Sequence, residues 1–173
     1  MGREVRRVPP DWQHPKDERG HYIPLLGGGF SDRLAEWDEE AAQWAKGYRR
    51  DYVSGGWAVR DGEEGEAGYT YAEYAGERPR AENYMPDWPS EQRTHWQMYE
   101  DTSEGTPISP VMDTPEALAR WLADNNASAF GSATASYEGW LTTINRGFAP
   151  SAIMSGGVIQ SGVEALKNQK PSP

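Results

Sequence analysis

Apolar positions along this chain fall into a few clear rhythms. Between Ser31 and Tyr48, Leu34, Trp37, Ala41, Trp44 and Tyr48 recur every three or four residues, the period of an α-helix. At about 100° per residue these five lie within about 80° of one another. Ser31 is a suitable N-cap and Gly47 interrupts the pattern, so a helix is predicted over 31–48. Two more are predicted over 114–125 and 137–146. Thr114-Pro115-Glu116 supplies a cap, a first-turn proline and a dipole-compatible acid ahead of Leu118, Trp121 and Leu122, and Asn125-Asn126 ends the pattern. Ser136 caps the other helix, which carries Tyr137, Trp140, Leu141 and Ile144 and closes at Gly147, with Pro150 beyond.

Extended structure is predicted elsewhere. In His95-Trp96-Gln97-Met98-Tyr99-Glu100 the alternation puts Trp96 and Met98 on one face of a strand. It closes a stretch, 49–100, that is otherwise irregular, with Tyr69, Tyr71 and Tyr74 suggesting a short aromatic strand. Ser151–Met154 and Val158–Gln160 bracket Ser155-Gly156-Gly157, a hairpin over 151–160. Residues 1–30 form an extended Pro-rich arm, because Pro10, Pro15 and Pro24 each bias the residue before them away from helix. Trp12 and Tyr22 are its anchors. Helices and hairpins mix without a βαβ rhythm, which predicts an α+β class. The expected architecture is a single compact domain over 1–167, about three amphipathic helices packed on short antiparallel strands, with a loose tail over 168–173.

Composition changes this picture in two ways. Leu, Ile, Val and Phe number only 22 of 173 residues, while eight Trp and nine Tyr are present. The core is therefore expected to be aromatic. Cysteine is absent, which excludes disulfides, thiolate catalysis and Cys-bound metals. No apolar run approaches the roughly 20 residues that span a bilayer, and a soluble, cytoplasmic protein is expected.

Charge adds a third constraint. The chain holds 27 acidic and 17 basic residues, net −10, and residues 31–104 carry eighteen of the acids against eight bases. Such a balance argues against a protein that grips nucleic acid directly by neutralising phosphates.

Candidate chemistry is sparse. His14 and His21 flank Asp17 but lack the fixed spacing of a metal site, so they are taken as polar side chains of a surface arm; no metal or cofactor is expected. His95 is a possible general base without a nameable partner. Gly27-Gly28-Gly29 is followed by Phe30-Ser31-Asp32 in place of the Lys-Ser or Lys-Thr of a phosphate loop, so it is a hinge into the helix. No G-x-S-x-G elbow occurs, and Ser103-Glu104-Gly105 has no locatable triad partners. A non-enzymatic protein is expected, with a small hydrolase as an alternative.

The acids are the remaining signal. Asp32, Glu36, Glu39 and Glu40 lie opposite the apolar stripe of the first helix, about 5–6 Å of rise apart, and Glu63, Glu64 and Glu66 form an acidic loop. These seven are the candidate partner-binding residues, with Tyr69 and Tyr71 as aromatic hot spots. The implied partner is a protein or nucleoprotein complex with a basic surface that normally holds nucleic acid.

Two stretches carry a family resemblance. Val5-Arg6-Arg7-Val8-Pro9-Pro10-Asp11-Trp12-Gln13-His14-Pro15, continuing through Asp17, Gly20 and Tyr22 to Pro24-Leu25, resembles the opening of a family of uncharacterised phage and prophage proteins. Trp96–Glu100, Ser103–Pro110 and Thr114–Leu118 are similar to that family's middle motif, and Gly147–Ser151 with the hairpin is similar to its close. The resemblance implies a phage setting and no established activity. In that setting a small acidic protein is expected to disable host machinery, as an anti-CRISPR or other counter-defence inhibitor does. A phage structural or assembly protein is the alternative.

Overall fold

The computed structural model describes residues 2–60, 68–100, 105–155 and 157–167. In chain order the elements are β1 (Arg3–Val8), α1 (Phe30–Ala45), β2 (Tyr48–Asp51), β3 (Gly56–Val59), α2 (Tyr71–Ala75), β4 (His95–Glu100), β5 (Thr106–Pro107), α3 (Pro115–Asp124), α4 (Tyr137–Arg146), β6 (Phe148–Ala149), β7 (Ala152–Ser155), β8 (Val158–Ser161) and α5 (Gly162–Leu166). All the strand pairs are antiparallel, and the class is α+β. The elements gather into two compact units, one of residues 28–87 and one of the two flanking segments together. The sequence reading placed no boundary at Gly27 or Trp88.

In the flanking unit the sheet order is β5-β4-β1-β6. The arm therefore does more than dock by two aromatic anchors: β1 is an interior strand, paired with β4 from Arg3↔Glu100 to Val8↔His95 and with β6 at Arg3↔Ala149. Register then fixes two faces. Val5 lies opposite Met98, and both pack into the core with Leu118, Leu122, Trp140 and Ile144 of α3 and α4. The other face carries Arg6, Val8, Gln97 and Tyr99, and the chain from Pro9 to Gly27 folds back over it. Trp12 Nε1 donates to Tyr99 Oη (3.0 Å), and Arg6 donates to the Leu25 carbonyl (3.0 Å).

Local signals set the helices of this unit. Thr114 accepts from Ala117 N–H with Pro115 in the first turn, and Ser136 accepts from Gly139 N–H. Gly147, at φ 89°, ends α4 in the left-handed conformation that suits glycine. The predicted hairpin is present as β7–β8. It leads directly into α5, a short helix the periodicity did not reveal, whose Val163 and Leu166 join the core. Glu164 of α5 reaches back and accepts from Ser136 N–H (2.9 Å), capping α4 from outside.

In the 28–87 unit, α1 packs on the hairpin β2–β3 and on α2. The predicted helix was displaced at both ends. Its N-cap is Gly29, in the left-handed conformation, and Ser31 is already inside the helix. The capping oxygens come from Asp87, which accepts from Gly29 N–H (3.2 Å) and Ser31 Oγ (3.3 Å). At the far end Gly47, at φ 88°, turns the chain, so Tyr48 starts β2 and leaves the helical stripe. Tyr71 and Tyr74 belong to helix α2, closed by a Thr70–Glu73 capping box, and not to a strand. The Thr-x-x-Glu signal at Thr70 outweighs the β-propensity of the tyrosines. Among the described residues no helix is long and apolar enough to cross a membrane.

Candidate functional site

The 28–87 unit holds fourteen acidic and seven basic residues, net −7 of the chain's −10. On α1, Asp32, Glu36 and Glu39 are exposed at intervals of one turn. Glu40 departs from that row. It sits about 80° from the centre of the apolar stripe, is half-buried, and accepts a hydrogen bond from Tyr71 Oη. The row is also partly compensated: Arg33 pairs with Glu36 (2.7 Å), and Arg78 holds Asp38 through two bonds of 2.8 and 2.7 Å. The Arg78 guanidinium keeps the Asp38 carboxyl below the usual carboxylate range. Glu63, Glu64 and Glu66 lie outside the described residues, as do Ser103, Glu104 and the tail.

Beneath the acids is an aromatic cluster. Trp44 stacks on Tyr74 (4.3 Å between centroids), while Trp37 meets Tyr71 edge-on (5.2 Å). Both indole N–H groups are satisfied by α2 and its flanks, Trp37 by Gly76 O and Trp44 by Tyr69 O. Tyr69 is half-exposed and contributes its carbonyl to this packing. Burial, then the bond to Glu40, raises the Tyr71 hydroxyl pKa well above its ordinary value.

Two hot-spot candidates were missed in the sequence. Tyr52 and Val53 stand at the tip of the β2–β3 turn, 80% and 99% exposed. Asp51 builds that turn, its carboxylate accepting from Val53 N–H (3.0 Å) and its carbonyl from Gly55 N–H (2.8 Å). Asp51 followed by Ser54-Gly55-Gly56 is a turn signal that could have located them.

The flanking unit has a different feature, an open cleft of about 600 Å³ walled by Trp12, His14, Tyr22, Ile108, Ser109 and Trp121. His14 is 6% exposed, which corrects its reading as a surface side chain. Nε2 donates to Ile23 O (2.7 Å) and Nδ1 faces Tyr99 Oη (3.2 Å). Burial lowers the His14 pKa, against the Ile23 bond and with help from Arg6. Burial also pushes the Tyr99 hydroxyl up to about 12. Ser109 Oγ accepts from Met98 N–H and donates to Pro110 O. The side chains of His14, Tyr99 and Ser109 are thus each committed to a structural partner.

His95 contacts Thr94 Oγ1 (2.9 Å). His21 and Asp17 form an exposed pair (3.4 Å), and among the described residues no group of three or more potential ligands could hold a metal. Phosphate binding at Gly27–Gly29 is opposed by Asp87, whose carboxylate occupies the helix N-terminus.

No family model matches this chain. No curated protein and no solved structure matches it either.

Proposed function

We propose that this is a non-enzymatic, phage-encoded accessory protein that binds a host protein or nucleoprotein complex through the acidic face of residues 28–87. The observation that carries the reading is the row of Asp32, Glu36 and Glu39 exposed along α1, in a stretch, 28–87, whose sequence carries net −7 of the chain's −10. Such a field attracts a basic surface over a Debye length and speeds encounter. The exposed Tyr52 and Val53 supply the apolar contact area that charge alone lacks. By resemblance to phage and prophage proteins, the target is host defence machinery in the cytoplasm, and the effect is inhibition of the anti-CRISPR kind.

The test is charge reversal of Asp32, Glu36 and Glu39 to Lys, leaving Glu40 intact because its bond to Tyr71 is part of the packing. Capture from host lysate by the parent should yield a stoichiometric partner with a basic surface, released at high salt. The triple variant should lose it while keeping the parent's circular dichroism. Capture that survives the reversal, or that ignores salt, would end this reading.

A further inference from the structure

Between α1, α2 and the β2–β3 turn lies a small cavity of about 180 Å³, lined by Glu36, Trp37, Glu40, Tyr52, Tyr71 and, at its rim, Arg33. Three aromatic rings and two carboxylates on one cavity make an unusual wall. Ring faces carry negative quadrupoles, and carboxylates beside them add full charges; both attract a cation and neither suits an anion. The Trp37 and Tyr71 rings meet edge-on at 65°, 5.2 Å between centroids, and both line the cavity. Glu40 is oriented by its bond from Tyr71, and Glu36 lies near enough to Tyr71 to act on its hydroxyl. Among the described residues neither acid is part of a buried ion pair, and Glu36 pairs with Arg33, an exposed i,i+3 neighbour.

We infer that this cavity is a cage for one cationic side chain, a lysine ammonium or arginine guanidinium, projecting from the partner protein. The inference rests on the acidic-face reading for its partner, and it adds the point at which that partner is gripped. Arg33 already holds a guanidinium at the rim, against Glu36 (2.7 Å). An incoming cation displaces it at small loss, because exposed pairs of this kind are weak. That competitor leaves, and the partner's side chain gains both the carboxylate and the rings.

The experiment is a titration of the full chain with the blocked amino acids Nα-acetyl-lysine methylamide and Nα-acetyl-arginine methylamide, followed by the NMR signal of the Trp37 indole N–H. The blocked norleucine derivative, which has the same aliphatic stem without charge, is the control. The cationic probes should give saturable shifts with a Kd on the order of 1–10 mM, the range of a single cation–π and carboxylate contact. Norleucine should give none. Glu36→Gln should weaken the cationic probes, and Arg33→Gln should tighten them about two-fold or more by removing the competitor. Both substitutions are on exposed side chains and leave the helix core untouched.

Equal shifts with norleucine, an unmoved Trp37 signal, or no change in Arg33→Gln would overturn the cage. If the cage fails while salt-sensitive capture is still lost on charge reversal, the acidic-face reading stands without it. Probe binding without any captured partner would overturn the interface and leave a cation site.

Discussion

Gly162→Ala separates tertiary constraint from helix propensity because the two predict opposite signs. Gly162 opens α5, where alanine is intrinsically favoured over glycine by at most about 1 kcal/mol. A Cβ at this position would stand 1.9 Å from Pro150 O and 2.8 Å from Pro150 C. Both are backbone atoms, so no rotamer change relieves the overlap. The helix must move instead, loosening the fully buried Val163 and straining the Gly162 N–H to Ser151 O bond (3.2 Å). Overpacking of this kind costs about 1–3 kcal/mol, and weakening the hydrogen bond adds about 0.5–1.5 kcal/mol. After a propensity gain of about 1 kcal/mol the variant should be destabilised by about 0.5–3.5 kcal/mol. With a urea slope of about 2 kcal/mol/M, the midpoint falls by about 0.3–1.8 M. Urea unfolding followed by tryptophan fluorescence and circular dichroism measures this directly. A variant as stable as the parent, or more stable, would refute the close approach of α5 to Pro150.

Acid sensitivity follows from His14. Its folded pKa lies below the unfolded value of 6.5, so the unfolded chain binds the extra proton, and stability falls as pH drops below about 6.5. His14→Gln should flatten that limb of a stability-against-pH curve, and an unchanged slope would remove His14 as the cause. Asp87→Ala deletes the acceptor for Gly29 N–H and Ser31 Oγ; it should lower the stability of α1 by about 0.5–2 kcal/mol, seen as faster amide exchange in its first turn. Asp87→Asn, which keeps an oxygen, should lose less than the alanine variant.

Elements governed by neighbours in the chain were legible. Thr114-Pro115, Ser136 and Gly147 act on backbone groups within one turn, and the structure places α3 and α4 within a residue or so of the predicted bounds. The β4 alternation and the terminal hairpin are local in the same sense. The α+β class follows from that inventory, because helices and hairpins without parallel crossovers leave few other architectures. The uneven charge, too, is a property of composition.

What escaped the sequence depends on residues far apart in it. Ser31 is a good cap in isolation, but Asp87, 56 residues away, holds the helix start, and the chain enters two residues earlier at Gly29. His14 and Asp17 look alike as polar arm residues; only the packing of the arm against Tyr99, 85 residues on, buries the first. The prolines could mark the arm as extended but could not show that β4 and β6 would pair on the two edges of β1. Glu40 differs from Glu36 by one turn of helix, and the bond from Tyr71, far along the chain, makes the first a packing group. Caps, turns and alternation are short-range energies readable along a chain, whereas burial and the pairing of charges are set by which surfaces meet when the whole chain closes.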